Sequence, residues 1–299
     1  MIIPLPFKID LKDKTAVVTG AGGVLCSMFS KALAECGAKV ALLDIDEPAA
    51  RAFADEINAG GGVAKSYWCD VLDKGSVMAA RDRVTSDFGP CDLLINGAGG
   101  NHPAATTTME YYEAGETPSG ETPEKPSGER PEKPSDVTFF DLEAEGIQAV
   151  FNLNYLGTLI PAQVFARDMA GRPGTAIINI SSLASFRALT KTPAYSAAKA
   201  AISNFTQWLA VHFSRAGIRV NAIAPGFFLT KQNEALLVNP DGTPTARSKK
   251  VLAQTPMGRY GKPEELLGAL LLLADSKAAS FITGTVVTVD GGYNAYSGV

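Results

Sequence analysis

The stretch Thr15-Ala-Val-Val-Thr-Gly-Ala-Gly-Gly-Val-Leu-Cys26 decides the architecture. Thr15–Thr19 is a short β-branched run of strand length, and Val24–Cys36 carries a helical pattern. Between them, Gly20, Gly22 and Gly23 let the backbone turn sharply and come close to a ligand. The first turn of the helix then presents N–H groups that no carbonyl of the helix satisfies, a ready site for a pyrophosphate. Strand, glycine turn and helix in this order predict the opening unit of a dinucleotide-binding fold, with Gly20, Gly22, Gly23, Val24 and Leu25 at the phosphates.

Outward from this unit the pattern alternates. Strands are predicted over Lys39–Asp44, Val63–Cys69, Leu93–Asn96, Ala176–Ser181, Arg219–Ala224 and Val286–Asp290. Helices are predicted over Glu47–Ala59, Asp73–Phe88, Leu142–Met169, Tyr195–Arg215 and Pro263–Ala274. Such alternation implies a parallel sheet with helices on both faces. Ala176-Ile-Ile-Asn-Ile180 is nearly continuous in apolar character, as a strand buried on both faces is. The expectation is an α/β fold with a Rossmann-type doubly wound parallel sheet, in a single catalytic domain over residues 1–299.

Composition narrows the class. The chain has 299 residues, 46% of them hydrophobic, enough for one large α/β domain. A net charge of −4 gives no basic surface, so nucleic acid is not an expected partner. Cys26, Cys36, Cys69 and Cys91 have the spacing of neither a zinc knuckle nor a CxxC redox pair. Reduced thiols in a cytoplasmic protein, with no metal, are expected. Residues 1–10 lack a basic segment followed by a long apolar one, so no signal peptide is expected. The longest apolar run, Leu266–Ala274, is too short to span a bilayer, and no membrane association is expected.

One segment departs from the pattern. Residues 115–136 are rich in Pro, Glu, Ser and Lys. An octad nearly repeats there, Pro118-Ser-Gly-Glu-Thr-Pro-Glu-Lys125 and then Pro126-Ser-Gly-Glu-Arg-Pro-Glu-Lys133. Such a composition cannot bury a core and predicts an extended or mobile insertion. A tolerated surface insertion is the first reading, and a lid or partner contact beside the ligand crevice is the second.

The cofactor residues extend along the strand ends. Asp44 closes the second strand, 24 positions after Gly20. A carboxylate there accepts hydrogen bonds from an adenosine ribose and repels a 2′-phosphate. No Lys or Arg lies in 20–26 or 43–47 to hold such a phosphate, so NAD(H) is predicted over NADP(H). The other reading of Asp44 is a solvated turn residue. Asp70 and Val71 follow the third strand, and Asn96-Gly-Ala-Gly99 follows the fourth. Asp70 and Val71 are expected near the adenine. Asn96, Gly97 and Ala98 are expected along the ribose and nicotinamide.

Tyr195-Ser-Ala-Ala-Lys199 carries the chemistry. Residues four apart share one face of a helix. An ammonium near a phenol stabilises the phenolate, so Lys199 is expected to lower the Tyr195 pKa. Such a tyrosine exchanges protons with a carbonyl or alcohol oxygen. Ser182 precedes Tyr195 by thirteen positions and is expected to hydrogen-bond the same substrate oxygen. Asn154, in Phe151-Asn-Leu-Asn-Tyr-Leu-Gly157, is expected to hold a water beside Lys199.

These features, with Pro225-Gly226, occur in the order found in the short-chain dehydrogenase/reductase family, which the chain resembles from about Leu11 to Gly292. The resemblance implies a sheet of about seven strands and commonly a homotetramer. It also implies a catalytic tetrad of Asn154, Ser182, Tyr195 and Lys199, with Pro225, Gly226, Phe228 and Thr230 flanking the nicotinamide. There is one departure. The family pattern has Gly-x3-Gly-x-Gly after the threonine, whereas Val24 and Cys26 stand at the second and third glycine positions.

A finer resemblance is to a subgroup of D-mannonate oxidoreductases, or fructuronate reductases. Asn101-His-Pro103, Asn204–Phe213, Ala224–Thr230 with Gln232-Asn233, and the end of the chain from Asp290 carry it. It implies a sugar-acid substrate, D-mannonate/D-fructuronate first, with activity like that of a gluconate 5-dehydrogenase as the alternative. A non-catalytic NAD-binding regulatory protein is the reading from another class. A sugar acid needs a cation or amides for its carboxylate. Asn101, His102, Arg187, Lys191, Gln232 and Asn233 are the candidates, with Lys231 beside them, and His102 is equally a turn residue before Pro103. Trp208 and Phe213 read as helix packing or an oligomer contact, and His212 as structural.

Overall fold

The computed structural model describes residues 5–112, 136–230 and 237–298. Seven parallel strands form one sheet in the order β3-β2-β1-β4-β5-β6-β7. They are β1 (Thr15–Thr19), β2 (Lys39–Asp44), β3 (Val63–Trp68), β4 (Leu93–Asn96), β5 (Thr175–Ile180), β6 (Ile218–Pro225) and β7 (Val286–Val289). Among the described residues the α-helices are α1 (Val24–Glu35), α2 (Glu47–Ala59), α3 (Lys74–Phe88), α4 (Ala144–Phe151), α5 (Gly157–Met169), α6 (Pro193–Phe213), α7 (Ala246–Gln254) and α8 (Leu267–Ala274).

The period of two along each strand feeds two cores. Val18, Leu42, Ile95, Ile178 and Ile223 point to one face and pack with Phe29 and Leu33 of α1, Ile57 of α2 and Leu270 of α8. Val17, Leu43, Leu94, Ile177 and Val220 point to the other, against Val84 of α3, Phe165 and Met169 of α5 and Leu209 of α6. Both faces are covered, which is why the strands read as apolar runs and not as alternating ones.

Strand order reverses between β1 and β4: β2 and β3 lie on one side of β1, and β4 to β7 on the other. Open α/β sheets bind ligands outside the carboxyl ends of the strands at such a point. The glycine turn at 20–23 follows β1 here, and Gly97–Gly100 follows β4.

Besides shifts of one or two residues at element ends and a 3-10 turn over Pro263–Leu266 before α8, two details differ from the sequence expectation. The helix expected over Leu142–Met169 is divided: α4 ends at Phe151, a π-helical turn covers Asn152–Leu156, and α5 begins at Gly157. Pro161 lies inside α5 and has no N–H to give to the preceding turn, which disfavours an uninterrupted helix. Helix α7 was not expected. Of its nine residues only Ser248 and Val251 are buried, too few to leave an apolar period in the sequence. Among the described residues no helix is long and apolar enough to cross a membrane.

Candidate active site

A crevice of about 670 Å³ runs along the carboxyl ends of the strands. One end of it is made by the turn after β1. Gly20 sits at φ +66°, and a Cβ there would stand 2.9 Å from the Ala98 backbone. Only glycine both adopts this conformation without strain and admits the approach of the β4 loop. Thr19 Oγ1 accepts hydrogen bonds from the N–H groups of Gly97 (3.1 Å) and Ala98 (3.4 Å), which locks the two loops together. Helix α1 starts at Gly23 with no side chain capping it. Its first N–H groups therefore remain available to an anion. The cradle fits a dinucleotide phosphate.

Val24 and Cys26, which replace the family's glycines, divide in role. Val24 is partly exposed on the crevice wall. Cys26 is buried, and its Sγ occupies the space where a Cβ on Gly97 would fall. The close contact between α1 and β4 thus keeps one side chain, on the α1 side. Burial pushes the Cys26 thiol up to about 12, so it is a packing group and not a nucleophile.

Asp44, at the end of β2, lines the crevice. Its Oδ2 accepts the Gly22 N–H at 2.8 Å and its Oδ1 accepts the Asp46 N–H at 2.9 Å, which aim the carboxylate into the crevice mouth. Asp70 and Val71 line the same end, Asp70 Oδ1 accepting the Leu72 N–H at 2.9 Å. Ile45 and Leu72, both exposed, complete a small apolar cleft there. They were missed in the sequence because an apolar residue in a turn has no motif.

At the other end the crevice is lined by Ser182, Tyr195, Lys199, Pro225, Gly226, Phe227, Phe228 and Thr230. Ser182 follows β5, and Tyr195 and Lys199 stand one turn apart on α6. Lys199 is buried, and its Nζ donates to the Ile180 carbonyl at 2.9 Å and lies 5.6 Å from the centre of the Tyr195 ring. Burial lowers its pKa to about 8. The Tyr195 pKa is raised: burial outweighs the opposing hydrogen bond with Ser182. This corrects the expected lowering. The ammonium sits over the ring and turns to a carbonyl, so desolvation decides the sign.

Asn154, in the π-helical turn, is fully buried. Its Nδ2 donates to the carbonyls of Gly100 (2.7 Å) and Val150 (2.8 Å), and its Oδ1 accepts the Gly100 N–H (3.3 Å). The amide pairs with the β4 loop backbone and holds it in place. A Cβ on Gly99 would stand 2.7 Å from Asn154 Oδ1 and 3.2 Å from Lys199 Nζ, so Gly99, Asn154 and Lys199 meet at one point. With both amide N–H bonds committed to carbonyls, only Oδ1 remains to accept a bond from a water.

Several expected site residues are placed otherwise. Asn96 does not line the crevice. It is buried in the sheet, and its Nδ2 donates to Asn179 Oδ1 at 2.9 Å, while Asn179 donates to Thr206 Oγ1 at 2.9 Å. As the last residue of β4 it still points across the sheet, and the crevice wall begins one residue later. Gly22 stands behind the wall, packed against Asp44 and Ala49. Among the substrate candidates, Asn101 Nδ2 bonds Thr106 Oγ1 at 2.8 Å, and His102 Nδ1 caps the short turn Pro103–Ala105 through the Ala104 N–H at 3.2 Å. Arg187 donates through Nε (3.2 Å) and Nη2 (2.9 Å) to the Asn294 carbonyl. Lys191 is exposed at φ +73°, its carbonyl accepting from Thr107 N–H at 2.9 Å. These four do not line the crevice, and the side chains of Asn101, His102 and Arg187 are bonded elsewhere. Lys231, Gln232, Asn233 and residues 115–135 of the insertion lie outside the described residues.

Comparison with known proteins gives concordant matches. The short chain dehydrogenase family matches residues 14–115, and the Enoyl-(Acyl carrier protein) reductase family matches residues 131–294. A curated relative from Haemophilus influenzae, named only as an uncharacterized oxidoreductase, is 54% identical over 97% of this chain and 96% of its own length. A solved structure from the same organism, proposed to be a D-mannonate oxidoreductase and holding NAD, superposes with a TM-score of 0.89. It shows 54% identity over 97% of this chain and 98% of its own. A gluconate 5-dehydrogenase from Burkholderia cenocepacia, in complex with NADP and tartrate, superposes with a TM-score of 0.78. It shows 28% identity over 96% of this chain and 97% of its own.

Proposed function

The chain belongs to the short-chain dehydrogenase family, and from that premise we propose an NAD(H)-dependent oxidoreductase that interconverts a secondary alcohol and a ketone of a sugar acid, D-mannonate/D-fructuronate first. One observation carries the catalytic reading. A single crevice holds an anion cradle and Asp44 at one end, and Ser182, Tyr195 and Lys199 at the other. The substrate class rests on the likeness to the Haemophilus protein, and Asp44 supports NAD over NADP.

A bound NADH would supply the hydride that the carbonyl carbon accepts. The chain's own residues handle the proton. Tyr195, held protonated by its buried surroundings, gives its hydroxyl proton to the developing alkoxide oxygen. Ser182 sits beside that hydroxyl and orients the carbonyl oxygen. Lys199, still largely charged at neutral pH, stabilises the phenolate left behind and would hold the nicotinamide ribose. Asn154 positions the Gly99–Gly100 wall. In oxidation the same steps run backwards.

We read the chain as one cytoplasmic catalytic domain that assembles as a homotetramer. The support for assembly is a groove of about 620 Å³ between α5 and α6, lined by Tyr155, Leu159, Phe205, Trp208 and Phe213. Trp208 is 57% exposed beside it, a large apolar surface to leave in water.

The deciding experiment follows NADH oxidation with D-fructuronate, and separately with 5-ketogluconate, for wild type and Tyr195→Phe. Turnover of fructuronate that disappears in the variant supports substrate and proton donor together. Turnover of 5-ketogluconate alone moves the substrate to the gluconate 5-dehydrogenase side. NADH binding without turnover of either ketone defeats the sugar-acid reading.

A further inference from the structure

The C-terminal segment packs against the loop after β6 that lines one end of the crevice. Gly291 (φ +64°) and Gly292 (φ +89°) both lie in the left-handed region and fold the chain back after β7. Asp290 fastens the fold: Oδ1 accepts the Gly292 N–H at 3.0 Å and Oδ2 the Asn294 N–H at 2.8 Å. The root of the tail touches the loop after β6, where Gly226 N–H donates to the Val289 carbonyl at 2.9 Å and a Cβ on Gly226 would stand 2.6 Å from Asp290 Cα.

Two contacts then join the tail to the catalytic wall. The Tyr293 ring packs edge-on against Phe227, centroids 5.3 Å apart. Arg187, five residues after Ser182, places two N–H groups on the Asn294 carbonyl. Phe227 lines the catalytic crevice and also a second cavity of about 390 Å³, bounded by Met257, Thr288, Asp290 and Gly291. Phe227 and Phe228, which line both, form the partition between the two spaces, and Tyr293 packs against Phe227.

The geometry points to Tyr293 as a specificity-determining residue: by bracing Phe227, it closes the second cavity to the substrate and limits the crevice to slender ketones. Arg187 is the positioning residue that holds the tail in this brace. The assignment rests on reading the crevice as the oxidoreductase site. The brace is the contact between the two rings, so Tyr293→Phe preserves it and Tyr293→Ala removes it. With the brace gone, Phe227 yields and a bulky ring reaches the second cavity, while a sugar acid is held less well.

The test measures kcat/KM for D-fructuronate and for 2-decalone, a bulky bicyclic ketone, in wild type, Tyr293→Phe and Tyr293→Ala. Hydrogen–deuterium exchange of the peptides covering residues 226–229 and 291–296 is measured alongside, with Arg187→Gln added. In Tyr293→Ala the decalone-to-fructuronate ratio rises at least about tenfold, mainly through KM, with NADH affinity within about twofold. Tyr293→Phe keeps the wild-type ratio. Arg187→Gln speeds exchange at 291–296, and Tyr293→Ala speeds it at 226–229. An unchanged ratio in Tyr293→Ala, or equal ratios in the two Tyr293 variants, overturns the assignment. If wild type turns over no sugar acid, the substrate reading has failed by itself. Exchange then decides the brace, and unaltered protection at 226–229 in Tyr293→Ala overturns it.

Discussion

Gly97→Ala tests the exchange of side chains between α1 and β4. A methyl group at position 97 would overlap Cys26 Sγ and stand 3.0 Å from the Thr19 carbonyl oxygen, but 3.7 Å from Cys26 Cβ. The sulfur is thus the main obstacle, and the Cβ behind it is at ordinary contact distance. Overpacking of this kind costs about 1–3 kcal/mol, or roughly 2–10 °C in Tm for a chain of this size. Moving the first turn of α1 also misplaces the N–H groups proposed to hold the phosphates. Losing one charge-assisted hydrogen bond there raises the NADH Kd about 10- to 100-fold. Cys26→Ala removes the sulfur and leaves room, so Gly97→Ala/Cys26→Ala regains most of the stability and affinity, short of the residual crowding against Thr19. Thermal unfolding and NADH fluorescence titration on the four proteins close a double-mutant cycle, with an expected coupling of about 1–3 kcal/mol. Strictly additive effects would refute the idea that Cys26 fills the space a side chain at 97 would need.

Asn96→Ala leaves the buried Asn179 Oδ1 without its donor and costs about 1–3 kcal/mol in urea unfolding, with an unaltered NADH Kd; a raised Kd with unaltered stability would return Asn96 to the cofactor site. Lys199 has its pKa depressed from 10.5 to about 8 by burial, so the unfolded chain binds more protons between those values and stability rises with pH across that window. Lys199→Met therefore exceeds wild type in stability at pH 7 by up to roughly 3 kcal/mol, and the gap narrows above pH 8; a gap independent of pH from 7 to 10 contradicts the burial argument. Asp44→Ala frees the Gly22 N–H and removes the charge opposed to a 2′-phosphate, so the NADPH-to-NADH ratio of kcat/KM rises by about tenfold or more; an unchanged ratio takes cofactor selection away from Asp44.

The parallel sheet and the order of its elements were legible because both depend on local chemistry. Strand runs such as Thr15–Thr19 and Leu93–Asn96 stand where they were expected, since β-branched and apolar residues between glycine turns have few alternatives. Tyr195 and Lys199 were legible for the same reason: a spacing of four fixes a shared helical face. What was not legible turns on distance in space. Asn96 and Gly97 are neighbours in sequence, yet one faces the sheet and the other the crevice. Arg187 is a plausible carboxylate partner in the sequence, but its guanidinium is spoken for by a carbonyl 107 residues away.

The sequence by itself determined the fold class, the glycine turn after β1, the acidic residue at the end of β2 and the Ser, Tyr and Lys that line the other end of the crevice, because each is set by residue type and short-range spacing. The tertiary structure alone decided the sign of the Tyr195 pKa shift, the pairing of Asn154 with the Gly100 backbone, the filling of the α1–β4 contact by Cys26 and the packing of Tyr293 behind Phe227. Each of these depends on burial or on contacts between residues far apart in the chain, and solvent exclusion and packing exist only once the chain has folded.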